Sequence, residues 1–138
     1  MTSSIASDIY KKMTAKEIID HMSSSLQGET DAWKKVARAV VGAIVDCLVW
    51  RRDHQRFTLT PAIIRAHMTF EQSIRLSHDK DIPADLRDKL IKQLDELPGF
   101  IYSAFDAEGN QKPGYDEMEE FAVSKQQFGY LCSLFKFE

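Results

Sequence analysis

A chain of 138 residues, 43% apolar and 28% charged, has the size and composition of one globular domain with one hydrophobic core. That excludes a long disordered tail, a collagen-like repeat and a disulfide miniprotein. Its 18 Lys and Arg against 21 Asp and Glu give a net charge of −3, so the strongly basic balance of an autonomous duplex-DNA binder is absent.

The first ten residues carry no basic segment followed by an apolar one, so no secretory signal is expected. A short helical segment is expected near residues 5–10. Thr14 followed by Glu17 forms a capping box that opens a helix through Ile18, Ile19, Met22 and Leu26, ending near Gly28. Thr30 or Asp31 caps the next and longest helix. There Trp33, Val36, Ala37, Val40, Val41, Ile44, Cys47 and Leu48 recur at spacings of three and four, the pattern of a central core helix. Ala39, Gly42 and Ala43 give it small faces that a neighbouring helix could approach closely. The stretch 37–50 is too short and, with Arg38 and Asp46, too charged to span a bilayer. Arg51 and Arg52 close the helix at the negative end of its dipole, and residues 53–56 form a polar turn.

Thr60-Pro61 supplies an N-cap and a first-turn proline for a short helix through Ile63, Ile64 and His67. Thr69 with Gln72 repeats the capping logic for a second short helix carrying Phe70, Ile74 and Leu76, so a sharp corner lies between the two. Asp81-Ile82-Pro83 opens a helix with Leu86, Leu90, Ile91, Leu94 and Leu97 on one stripe, stopped by Pro98-Gly99. Residues 106–114 have the composition of a flexible loop. Past Tyr115 a last helix starts with Asp116, Glu117, Glu119 and Glu120 and runs through Phe121, Phe128, Leu131, Leu134 and Phe135. The expected architecture is all-α, a compact bundle of about six or seven helices, two of them short, in one domain over 1–138. The sequence stops at Phe137-Glu138 in the middle of an apolar run and without a capping residue, so a piece of a longer polypeptide is expected.

Chemistry has little to stand on in this sequence. No phosphate-binding Walker loop, Cys-x-x-Cys pair, His-Glu-x-x-His or Gly-x-Ser-x-Gly occurs, so no catalytic residue, metal ligand or cofactor is assigned. His21, His54, His67 and His78 lie on separate elements and read as surface or structural histidines. Cys47 and Cys132 sit in apolar runs and read as small buried hydrophobes in a reducing compartment, with one disulfide as the alternative. The acidic residues between Asp106 and Glu120 lack the ligand order of a calcium loop and read as a solvated loop before a helix start. Two basic groups remain. Lys34, Lys35 and Arg38 stand near the start of the long helix, and Arg51, Arg52, His54 and Arg56 at its end beside Trp50. Cations for phosphate and an indole for base stacking are the physical recipe for a single-strand contact. The plainer reading makes Trp33 and Trp50 packing residues and the arginines solvated caps. Met13, Met22, Met68 and Met118 either fill core gaps or line an apolar groove for a protein partner.

Read as a string, Trp33, Ala37-Arg38-Ala39, Ala43-Ile44-Val45, Leu48-Val49-Trp50, Arg52-Asp53, Leu59, Ile64-Arg65, Leu97-Pro98-Gly99 and Gln127-Phe128-Gly129-Tyr130-Leu131 resemble a known family. It is the all-α domain of type IV secretion coupling proteins, in the conjugative-plasmid and Dot/Icm branch of the TraG/TraD-like ATPases. The resemblance covers residues 33–131. Two departures are Val49-Trp50-Arg51, where the family often has simpler aliphatics, and Phe128, where it has His. What the resemblance implies is a non-catalytic helical insertion within a hexameric RecA-like motor. It would face the cytoplasm at the bacterial inner membrane without touching the lipid and help select a relaxase, another secreted protein, or single-stranded or duplex DNA. ATP-binding loops would belong to the remaining domains of the intact ATPase. The competing reading is a helical protein–protein adaptor or regulatory domain with no nucleic-acid contact.

Overall fold

A computed structural model of the chain describes residues 10–23, 31–133 and 135, and within these the fold is all-helical, with no strand. In chain order the helices are α1 (Ala15–Met22), α2 (Asp31–His54), α3 (Pro61–Ala66), α4 (Phe70–Ser77), α5 (Ala84–Asp95) and α6 (Glu119–Ser133). Single 3₁₀ turns at Tyr102–Ala104 and Tyr115–Glu117 interrupt the connection between α5 and α6. The expected segment near 5–10 lies outside the described residues apart from Tyr10, as do Leu26, Gly28, Thr30 and Leu134.

Three threonines set the helix starts. Thr14 makes the full capping box: its hydroxyl accepts from the Glu17 amide at 3.2 Å, and the Glu17 carboxylate accepts from the Thr14 amide at 3.2 Å. Thr60 accepts from the Ile63 amide at 3.2 Å with Pro61 in the first turn, and Thr69 accepts from the Gln72 amide at 3.1 Å. Each such cap satisfies an otherwise orphaned amide and contributes about 1 kcal/mol. Asp81, by contrast, does not cap α5, which begins after Pro83 without a side-chain cap. Its carboxylate instead accepts from the Gln55 side-chain amide at 3.2 Å.

Helix α2 is the axis of the fold. It packs most extensively on α5 and α1 and also meets α6 and α4. Ala37, Val40, Val41, Ala43, Ile44, Val45, Cys47 and Leu48 are all buried, so neighbours enclose most of its circumference. Of the other residues in the expected stripe, the Trp33 side chain lies outside the described residues, and Val36 fits the apolar spacing yet is 39% exposed. A second centre of packing lies at Phe70, the first residue of α4. Its ring meets Phe100 at 5.0 Å, Phe128 at 4.8 Å, Phe105 at 6.1 Å and Phe121 at 6.3 Å between centroids. Phe121 and Phe128 come from α6, whereas Phe100 and Phe105 come from the irregular connection before it.

Residues 106–114, expected as a flexible loop, fold as a closed turn. Lys112 donates its amide to the Ala104 carbonyl at 2.8 Å, Asp106 to Asn110 at 3.0 Å and Gly109 to Asp106 at 3.0 Å, around an isolated bridge of Phe105 with Gln111. The Asp106 carboxylate accepts from the amides of Asn110 at 2.9 Å and Glu108 at 3.0 Å, which holds its pKa below the usual carboxylate range. Arg75 of α4 donates to the Glu108 carbonyl and ties the turn to that helix. Composition marks these residues as polar, but the polar groups pair with one another rather than with solvent alone. The last helix starts later than expected: residues 115–117 form a 3₁₀ turn, and α6 begins at Glu119.

Candidate functional site

The basic residues singled out by sequence stand at the two ends of α2. From Arg38 to Arg51 the helix rises about 20 Å, so the two groups do not form one phosphate-binding groove. They behave differently.

At the C-terminal end, the two arginines expected to reach cargo are drawn inward. Arg52 donates from one terminal nitrogen to the carbonyls of Tyr10 at 2.9 Å and Met13 at 2.7 Å, and from Nε to Asp53 at 2.9 Å. Its side chain is only 9% exposed, so it acts as a clamp holding the segment before α1 against α2. Arg51 donates to the Gln55 side chain at 3.1 Å, lies 3.7 Å from Asp79, and places its guanidinium 4.8 Å from the centre of the Phe57 ring. Asp79 and Asp81 thus set carboxylates against this corner and reduce its pull on an anion. Nearby, His67 sets Nδ1 2.7 Å from the Ile63 carbonyl oxygen. Burial, with Arg51 adding repulsion, holds its pKa below the ordinary histidine value. What reaches solvent here is a smaller set: exposed His54, stacked at 4.5 Å and 11° on a half-buried Trp50 that packs against the core, with exposed Arg56 beyond. Arg56 takes a left-handed φ of 50°, the conformation that commonly ends a helix.

The Arg52 clamp leads to a direct expectation. Arg52→Ala leaves two carbonyls without their charged donor and lowers the unfolding free energy by about 2–3 kcal/mol. Arg51→Ala, which loses the partly exposed pairings with Gln55 and Asp79 and the contact with the Phe57 ring, costs less, about 1 kcal/mol. Urea unfolding of both variants checks the difference.

At the N-terminal end, the Lys34 side chain lies outside the described residues, Lys35 is exposed, and Arg38 pairs with Asp20 of α1 and donates to the Ser23 hydroxyl. Lys35 and Arg38 border two adjoining hollows of about 360 and 350 Å³ that share Ala39 and Gln93. They adjoin as a groove along α2: α1 and α5 wall the half at Arg38, and the end of α5 alone walls the half at Lys35. Lys16 of α1 and Lys89 of α5 complete its basic rim, the latter 3.0 Å from Asp46. Sequence reasoning missed both lysines, because only the packing of three helices brings them to Lys35 and Arg38. A third hollow, about 560 Å³, lies between Pro98-Gly99 and the first turns of α6, with Glu119, Glu120 and Val123 along it.

The methionines, expected either in core gaps or along an apolar groove, divide. Met22 and Met68 are core, Met13 is half-buried against it, and Met118 is exposed before α6. Cys47 and Cys132 are free thiols that do not pair, and burial pushes both up to about 12. Among the described residues no three His, Cys, Asp or Glu side chains cluster to hold a metal, and no helix is long and apolar enough to cross a membrane. No protein-family model, curated protein or solved structure matches the chain.

Proposed function

We propose that this chain is a non-catalytic cargo-recognition module, of the kind the all-α domain provides in type IV secretion coupling proteins, and that its principal cargo is a protein such as a relaxase. The observation that carries this is the open groove along α2, on whose rim stand Lys35 and Arg38, two of the residues that sequence placed at the cargo contact. The resemblance over residues 33–131 supplies the setting: an insertion in a hexameric ATPase at the cytoplasmic face of the inner membrane, with hydrolysis left to the motor's other domains. Several copies around a ring would raise a weak single-site affinity through multivalency.

Nucleic acid takes a secondary place in this reading. Arg51 and Arg52 are committed to internal partners, which leaves exposed His54 over half-buried Trp50, with the Arg56 guanidinium, as the one stacking surface at this end. Such a contact neutralises about one or two phosphates and loses affinity only gently with salt. The same inward arginines favour the adaptor reading, in which a protein partner is bound and DNA never is.

Titration of labelled single-stranded DNA, duplex DNA and the cognate relaxase at low and moderate salt tests the proposal. The expected result is relaxase binding that persists at moderate salt, with DNA binding weaker or absent. DNA binding without relaxase binding, or binding to none of the three, overturns it.

A further inference from the structure

Helix α2 carries a glycine in its middle that the fold itself does not use. Gly42 lies twelve positions before the last residue of a 24-residue helix, where Gly costs about 1 kcal/mol relative to Ala. A glycine inside a helix usually answers to close internal packing. Here a Cβ would meet only Ile19 Cγ1, at 3.9 Å, which is ordinary contact. Gly42 instead lies on the wall of the groove, next to Ala39, with half-exposed Ala15 on the α1 side and Val36 exposed at one end. What the missing side chain provides is room on the open side, where another backbone can come close.

The groove's dimensions and charge narrow the occupant. Lys35 to Asp46 covers about 17 Å of α2, the length of about three helical turns. No sheet edge is present among the described residues to pair with an extended strand, so the mode that fits is a helix laid in a groove. Lys16, Lys35, Arg38 and Lys89 stand around it, against Asp46, Glu96 and the Asp20 carboxylate that pairs with Arg38. Arg38 and Lys89 have carboxylate partners, whereas exposed Lys16 and Lys35 make no ion pair among the described residues. In a chain of net charge −3 this is a local excess of cations over a small, apolar floor.

We infer that this groove receives an acidic amphipathic helix of the protein cargo, an inference that rests on the cargo-recognition reading. Small and aliphatic residues at spacings of three and four lie over Ala39 and Gly42, and flanking carboxylates reach Lys16 and Lys35. Affinity depends on both, so shape and charge can be removed separately.

The test uses the full 138-residue chain and a fluorescein-labelled designed peptide with Ala and Leu on one helical face and Glu on the other. Its counterpart carries Lys for every Glu. The Glu peptide is expected to bind at least about tenfold more tightly than the Lys peptide, one decade being about 1.4 kcal/mol. Lys16→Glu with Lys35→Glu, and separately Gly42→Leu, each weaken it about tenfold, while Gly42→Ala raises the melting temperature of the free protein. Because Gly42→Leu could disturb folding, the surface charge reversal provides an independent check. Equal binding of both peptides, no binding of either, or affinity unchanged by the charge reversal overturns the inference. Relaxase titrated in parallel separates the two levels. Relaxase binding untouched by the groove variants sinks the groove and leaves the proposed function standing. Peptide binding without relaxase binding does the reverse.

Discussion

Phe70→Ala is expected to lower the unfolding free energy by about 3–5 kcal/mol, the range for truncating a buried aromatic side chain. The ring is 2% exposed and meets four other phenylalanines. Its near-perpendicular approaches to Phe100 and Phe105, at 67° and 78°, set ring edges against ring faces, a pairing worth about 0.5–1.5 kcal/mol beyond burial. The cavity left by alanine is poorly placed to collapse, because its walls come from α4, from α6 and from the connection between α5 and α6. Against a total stability of about 5–15 kcal/mol the loss is a large fraction. Urea unfolding should show a lower midpoint at an unchanged slope. Val123→Ala on the exposed side of α6 should move the midpoint little, since only a 43%-exposed side chain is trimmed. Comparable losses for the two variants would mean that the phenylalanine cluster is not a centre of packing.

What sequence made legible follows from the range of each interaction. The caps at Thr14, Thr60 and Thr69 join residues three positions apart, so the pattern and the hydrogen bond coincide. The stripe from Ala37 to Leu48 was equally plain, because a period of three and four marks one face wherever the helix goes. Val36 shows where that signal ends: periodicity says which face is apolar but not which face a neighbour covers. Phe100 and Phe105 fall outside any periodic run, and nothing local reveals that both rings pack on Phe70. The site divides in the same way. Residue types at the ends of α2 were readable, but an arginine closing a helix looks alike whether it caps into solvent or clamps a distant carbonyl. Arg52 does the second through Tyr10 and Met13. Lys16 and Lys89 join Lys35 and Arg38 only because α1 and α5 flank α2.

Gly99→Ala is expected to cost about 2–5 kcal/mol, combining a left-handed backbone penalty with overpacking. Leu97-Pro98-Gly99-Phe100 has the chemistry of a type II turn: Pro in its second position, Gly at φ +83° in its third, and the Phe100 amide donating to the Leu97 carbonyl at 3.1 Å. The turn reverses the chain after α5 and brings its backbone onto α6. A Cβ on residue 99 would fall 2.2 Å from the Glu120 carbonyl oxygen, 2.9 Å from its carbon and 3.3 Å from the Ser124 Cβ. The obstacle is helix backbone, which cannot swing aside like the tip of a side chain. Either the turn opens or α6 retreats, and retreat pulls Phe121 and Phe128 from the ring cluster. Gly99→Asn separates the two causes. Asparagine tolerates left-handed backbone better than alanine but carries the same Cβ, so most of the loss should remain if contact dominates. Gly129→Ala provides the opposite sign: in α6 its Cβ meets nothing within 4 Å, and replacing a helical glycine should stabilise by up to about 1 kcal/mol. Thermal melts of the three variants, with amide exchange along α6, read out both effects. A Gly99→Asn protein as stable as wild type would show that backbone conformation alone, and not the approach of α6, requires glycine at this turn.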